Sequence, residues 1–380
     1  MKVTRREFLR GAVGWGGLLL AGSLELLAAR GSEPMRRALR YLAAQQSADG
    51  AWRSGRYAAF RDGDVLTPVV LWAMQAAQPG NGSEAAFTRG LEWMRQFSDT
   101  CGARQEPWAA LRYPLFTASY AAQVFAREGD MTRAAAWGKM IEQLRTSPAL
   151  GWRAGDPMTG AWGDAASPPH FTEPVPDMLA PNISATALAG SALAALGASA
   201  SPAGALPFLE RCQNFSEGEP TKFDDGGFFF ALDDPIRNKG GGAGRDGRGR
   251  QRFRSYGSAT CDGYLAMRAC GVPPNHPRLQ AAAGWLQANG SGMTHGGHWE
   301  AGRAEARASL VYYYSQALAA VLRDLSETHG WSRRLGNSLT FELTARQGKD
   351  GAWLGMAPDS CEDEPVLATA FATRALALLG

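Results

Sequence analysis

A repeated helix pair constrains this chain more than any other feature. Residues 46–52 read QSADGAW and residues 347–353 read QGKDGAW, and a threonine-bearing apolar run follows each: VLTPVVLWAM from Val65 and VLATAFATRAL from Val366. With Thr67 and Thr369 as anchors, Ala73 and Met74 match Ala375 and Leu376 in offset. The same frame recurs at Thr186 (ATALAGSALAAL) and Thr260 (ATCDGYLAM), and more loosely at Thr117 (FTASYAAQVF) and Tyr314 (YYYSQALAAVL), giving six copies.

The anchors read as helix starts. Thr67-Pro68 has the form of an N-cap followed by proline at the first helical position, and the Ser/Thr pairs 184/186 and 258/260 offer equivalent caps. The helices that follow are apolar and small on nearly every side, which marks them as interior. Residues 183–198 taken alone resemble a membrane span, but their sister copies do not, so they are read as a buried helix. Ahead of each inner run lies an amphipathic segment: RRALRYLAAQQ, TRGLEWMRQF, AAWGKMIEQL, ALPFLERCQN, AAAGWLQAN and LTFELTARQ. Asp-Gly at 49/50 and 350/351, and Asp225-Gly226-Gly227, supply turns between outer and inner helix, and Trp52, Phe228 and Trp353 are placed to pack each hinge back. Six pairs with fully apolar inner members cannot stack as an open rod without leaving a buried-type helix wet at each end. Closing the row removes both ends. The expected fold is therefore all-α, a single (α/α)6 toroid over residues 31–380 whose first and last hinges meet.

The Q-x-x-D-G-x-W hinge resembles the QW repeat of the terpenoid cyclase and protein prenyltransferase superfamily. That resemblance implies a ligand in the central cavity near the inner-helix ends, and a small apolar, isoprenoid-like one. It also implies diagnostic motifs, which depart here from the family's pattern. D-x-D-D, which leads into the inner helix of cyclases that protonate an alkene, is absent; the nearest approaches are Arg61-Asp62-Gly63-Asp64 and Cys361-Glu362-Asp363-Glu364-Pro365. DDxxD is missing too, since Asp224-Asp225 and Asp233-Asp234 run on differently. In Thr260-Cys261-Asp262 the cysteine and aspartate are adjacent, so they point apart on a helix, and His295 and His298 lie in the preceding THGGHW segment, where backbone bonding is expected rather than zinc. No metal and no cofactor is expected. If the chain is a catalyst, the resemblance implies acid-initiated cyclisation or prenyl transfer, with Asp64, Asp262 or Asp363 as proton donor or charge stabiliser. Trp72, Tyr120, Tyr264, Tyr312, Tyr314 and Phe371 are the candidate cavity wall. Arg254 ends a basic, glycine-rich segment from Lys239 that reads as a mobile surface loop or an anion contact. Two other classes stay open: a non-catalytic binding scaffold, and a polysaccharide lyase or glycosidase on a related toroid, which would need paired acids facing each other across the cavity.

Residues 1–30 read as a twin-arginine export signal. Thr4-Arg5-Arg6-Glu7-Phe8-Leu9 precedes an apolar stretch, Gly11 to Leu27, too short and glycine-rich for a comfortable span. The expectation is export by the Tat translocase to the periplasm or cell surface. That segment holds five basic and two acidic residues, which accounts for the whole formal charge of +3, so the remainder is near neutral and lacks the basic field of a nucleic acid binder. Five cysteines at irregular spacing match neither a zinc knuckle nor a disulfide scaffold and read as buried thiols with at most one optional bridge.

Overall fold

The computed structural model describes residues 33–78, 83–197, 201–325, 330–356 and 358–380; residues 1–30, read above as an export signal, lie outside them. Outer and inner helices alternate along the chain: α1 (33–44), α2 (Leu66–Ala77), α3 (Glu84–Gly102), α4 (Pro114–Arg127), α5 (Met131–Gln143), α6 (Ile183–Ala195), α7 (Leu206–Cys212), α8 (Gly257–Ala269), α9 (Pro277–Asn289), then a short α10 (Ala304–Ala308), α11 (Val311–Leu325), α12 (Gly330–Arg346) and α13 (Pro365–Leu379). The inner members are α2, α4, α6, α8, α11 and α13. Each packs on the next and α13 packs on α2, so the ring is closed and the fold is the all-α (α/α)6 toroid expected from the repeats. Almost every residue of α2 is buried, as its lack of a polar face requires.

The anchor threonines do something other than cap. Thr67, Thr186, Thr260 and Thr369 lie inside their helices, and each Oγ1 accepts the backbone N–H of a hinge aromatic: Trp52 at 3.0 Å, Trp162 at 3.3 Å, Phe228 at 3.1 Å and Trp353 at 3.0 Å. The caps are elsewhere: Asn182 accepts from Ala185 N at the start of α6, Glu364 accepts from Val366 N at the start of α13, and α2 and α8 have no side-chain cap. Each tryptophan then reaches back, its Nε1 donating to a carbonyl of the preceding outer helix at Leu42, Ile141 or Leu343. All four aromatics are fully buried, so truncating any one to alanine would cost about 3–5 kcal/mol.

The turn glycine of each hinge sits where no other residue fits. Gly50, Gly160, Gly226 and Gly351 have φ between +85° and +98°, and an added Cβ would come within 2.3–2.6 Å of a backbone carbonyl oxygen on the next outer segment, at Arg89, Gly204, Ala281 and Arg37. A hinge glutamine completes the joint. Gln46 Nε2 donates to Gly50 O and Ala86 O, Gln213 Nε2 to Gly226 O and Arg278 O, and Gln347 Nε2 to Gly351 O and Pro34 O. In the third copy Arg145 replaces glutamine, donating to Gly160 O and Ser201 O while stacking on Trp162. The bond from Gln347 to Pro34 is thus the ordinary neighbour joint, made between the last hinge and the first helix. Ser54 to Glu364 and Arg56 to Asp363 reinforce the closure.

Two expectations are corrected. The third hinge carries Trp162, which the alignment on inner helices does not use although Gly160-Ala161-Trp162 repeats residues 50–52 and 351–353. The glycine-rich basic segment is no loose loop: β1 (Gly242–Arg245) and β2 (Gln251–Phe253) pair antiparallel, with Arg245 opposite Gln251. The Asp246 carboxylate fixes its turn, accepting the N–H groups of Arg248 and Arg250 and pairing with the Arg250 guanidinium at 2.7 Å. All five cysteines are free thiols, and Cys101, Cys212 and Cys261 are buried.

Candidate functional site

The inner helices run in parallel, so the lumen has one mouth ringed by their N-termini and another ringed by their C-termini. At the N-terminal mouth lies a cavity of about 280 Å³, walled by Phe60, Val65, Pro114, Leu115, Phe116, Leu310, Leu367 and Phe371, with Tyr313 at its base and Asp164, Ser360, Cys361 and Glu362 as polar points. Tyr313 meets Phe371 edge to face at 5.7 Å. Below, Tyr120 stands between Phe116 (4.6 Å) and Trp72 (4.7 Å), each edge to face, and fills the middle of the lumen.

Two acids are buried around this cavity. Asp262, on the first turns of α8, is 2% exposed; its Oδ2 accepts from Ser184 Oγ at 2.5 Å and from the Tyr313 hydroxyl at 3.0 Å. Burial pushes its pKa up to about 7, against the pull of those two hydroxyls. Tyr313 therefore spans the distance between a neutral-leaning carboxyl and an apolar chamber. Glu362, 1% exposed, faces the chamber directly and accepts the backbone N–H groups of Tyr312 (3.1 Å) and Tyr313 (2.6 Å) at the start of α11. Burial raises it to about 7 as well, opposed by those N–H groups. Asp164 opens onto the cavity from the loop before α6, held by Asn182 Nδ2 at 2.9 Å and Arg237 at 3.3 Å.

Of the three acids singled out from sequence, Asp262 alone is tied to the cavity. Asp64 is buried but its Oδ2 accepts Arg112 N at 3.1 Å, securing the entry to α4, while Oδ1 has no partner. Asp363 faces the ring joint, pairing with Arg56 at 2.8 Å and accepting the Tyr57 hydroxyl. Glu362, its neighbour, is the member of that acidic run that lines the chamber.

The aromatics divide in the same way. Phe371 is wall and Tyr120 lies beneath the base. Trp72 faces the opposite mouth. Tyr264 donates to Asp324 at 2.7 Å between α8 and α11, and Tyr314 stacks on His295 at 4.7 Å and accepts from Ser291 N. Tyr312 lines a separate groove with Met293 and Met356. Arg254 donates to Gly242 O within the hairpin, away from the chamber. His295 is buried, its Nε2 accepting Ser258 N at 2.9 Å, and burial lowers its pKa to about 3. Tyr313, passed over in the run Tyr312–Tyr314, is the residue that matters. Its signal is periodicity: Leu310 and Tyr313 share a face, as do Leu367 and Phe371.

No family model and no curated protein matches this chain. Solved structures do. A variant of the type II terpene cyclase MstE from Scytonema, in complex with its substrate geranylgeranyl dihydroxybenzoate, superposes with a TM-score of 0.60 at 13% identity, covering 93% of this chain and 99% of that one. Another MstE variant, in complex with the product merosterolic acid A, gives 0.57 at 15% identity over 93% and 98%. The GH76A α-1,6-mannanase of Salegentibacter sp. HEL1_6 gives 0.56 at 11% identity over 92% and 100%. At such identities the likeness is one of fold, the α/α toroid.

Proposed function

We propose that this chain is a terpenoid-cyclase-like toroid that binds an isoprenoid-type ligand in the N-terminal cavity and starts its cyclisation by protonating an alkene. The observation that carries this reading is the pairing of an apolar, aromatic-walled chamber with a buried carboxyl, Asp262, held near neutrality and joined to the chamber through the Tyr313 hydroxyl. A carboxyl with a pKa near the working pH is both protonated and a usable acid. At rest the Tyr313 hydroxyl donates to Asp262; with ligand bound it turns its proton to the alkene carbon, protonated Asp262 donates to the phenol oxygen as that proton leaves, and the cyclised cation closes by losing a C–H proton to water at the mouth. The faces of Phe116, Phe371 and Tyr313 then stabilise the cation. Solved complexes of a terpene cyclase with substrate and product on the same fold support an apolar ligand here. At about 280 Å³ the chamber lies at the small end of ligand pockets, so it fits a short isoprene chain, and a longer one would extend out of the mouth.

The test is incubation of the purified protein with a panel of polyprenes, free and bearing aromatic heads, in heavy water. Cyclised product carrying one solvent deuterium is expected, with Asp262→Asn slower by about 10²–10⁴-fold. A wild-type protein that neither binds nor converts any polyprene, or an Asp262→Asn variant at full rate, overturns the reading. We further propose that residues 1–30 direct export through the Tat translocase. Replacing Arg5 and Arg6 by lysine should retain the protein in the cytoplasm on fractionation.

A further inference from the structure

The other mouth of the lumen has a different chemistry. There Trp72, Gln75, Gln123, Ala126, Arg127 and Arg374 surround a cavity of about 270 Å³. Arg374 is the one charge in an otherwise apolar inner helix, and its guanidinium lies 3.5 Å over the face of Trp72. Its Nε is buried and has no hydrogen-bond partner. The helix C-termini that converge here offer carbonyl oxygens, which is the ordinary way to satisfy an arginine at such a place. Arg374 takes none of them. The charged and titratable groups that act on Arg374 are Tyr120, Arg127 and Arg323, with no carboxylate among them, and Glu128, next to the cavity's Gln75, accepts from Gln75 Nε2 at 2.6 Å. Gln123 and Gln75 spend their amide donors on Ser119 O and Val124 O, and Trp72 Nε1 is spent on Gln123 at 3.1 Å. Besides one N–H of Gln123, the donors left facing the cavity are those of arginines.

We propose that this mouth is a binding site for a compact oxyanion, a carboxylate or a phosphate group, gripped by the Arg374 fork with Arg127 as a second cation. A planar guanidinium held flat against an indole presents its N–H edge in a fixed direction, which suits bidentate capture of such a group. The shift in Arg374 agrees: burial, with Arg127 and Arg323 beside it, draws its pKa down, a penalty that a bound anion removes. The inference is independent of the reaction assigned to the opposite mouth, because the Tyr120 and Trp72 rings stand between the two cavities.

The experiment is calorimetric titration and thermal melting of the folded protein with inorganic phosphate and, separately, with benzoate, at constant ionic strength set by chloride. Saturable binding and a rise in melting temperature are expected with at least one probe, and the probe that binds tells phosphate from carboxylate preference. Arg374→Met should weaken it at least tenfold, Arg127→Gln a few-fold, and Arg374→Lys should restore part of it. Arg374→Met should also melt higher than wild type without ligand, because it removes a cation that has no partner. A merely structural arginine would give the reverse, a lower melting temperature with anion binding unchanged. That result, or a wild-type response to both probes no greater than to chloride, overturns the proposal.

Discussion

The two mouths of one lumen are built from the same six helices, yet they treat charge in opposite ways. At the N-terminal mouth the buried groups are acids with donors around them: Asp262 has two hydroxyls, and Glu362 has the first N–H groups of α11. At the C-terminal mouth the buried group is Arg374, with an aromatic face and no acceptor. Both signs agree with the helix dipoles, which favour anions at N-termini and cations at C-termini. The difference lies in satisfaction. The acids are held by the protein itself and shifted toward neutrality, whereas the arginine is left for something else to complete.

This contrast is sharpened first by acidity. Asp262 is raised in the fold from an ordinary 3.8 to about 7. Between those values the unfolded chain has released the proton and the folded chain has kept it, so stability falls as pH rises from about 4 to 7 and levels off above. The loss from this residue is up to about 4 kcal/mol, and Glu362 adds to it with the same sign. Urea melts between pH 4.5 and 7.5 should show this slope, and Asp262→Asn should flatten it; a slope of opposite sign would mean both acids fold as carboxylates. Next in size is Glu362→Ala, expected to cost about 2–3 kcal/mol by orphaning backbone N–H groups at the start of α11, with Glu362→Gln milder. At the other mouth the sign reverses, and Arg374→Met should raise stability by roughly 1 kcal/mol in the same melts. Smallest of all is Asp363→Ala, which breaks a pair whose arginine is 55% exposed; it should change stability by less than about 1 kcal/mol and leave polyprene binding intact.

Much of the frame could be read from the chain because the hinge is a local device. A glycine with positive φ, an aromatic and a glutamine at fixed spacing leave a visible trace, and Gly50, Gly226 and Gly351 were marked by it. The threonine anchors were visible too, but their purpose was not, since accepting an N–H from 15 residues away at Trp52 leaves the same letter as a cap would. The candidate site was harder for a different reason. Which aromatics face the lumen depends on helix rotation, so the neighbours Tyr312, Tyr313 and Tyr314 have three separate surroundings. The acidic run at 361–364 likewise distributes its members among the chamber, the ring joint and the α13 cap. Arg374 was legible in principle, as the single charge within PVLATAFATRALALL. The basic hairpin misled because glycine suggests disorder, while Asp246 supplies an ordered turn.

The joint between Gln347 and Pro34 has a bearing on biosynthesis. A ring sealed between residues 33–44 and 365–379 cannot exist on a nascent chain until α13 has left the ribosome, and until then the apolar flank of α2 has no cover. Closure of the ring should therefore be a late event in folding, possible only once α13 is available to cover that flank. Under the export route proposed above, the wedging in of that last helix is the step transport would have to await.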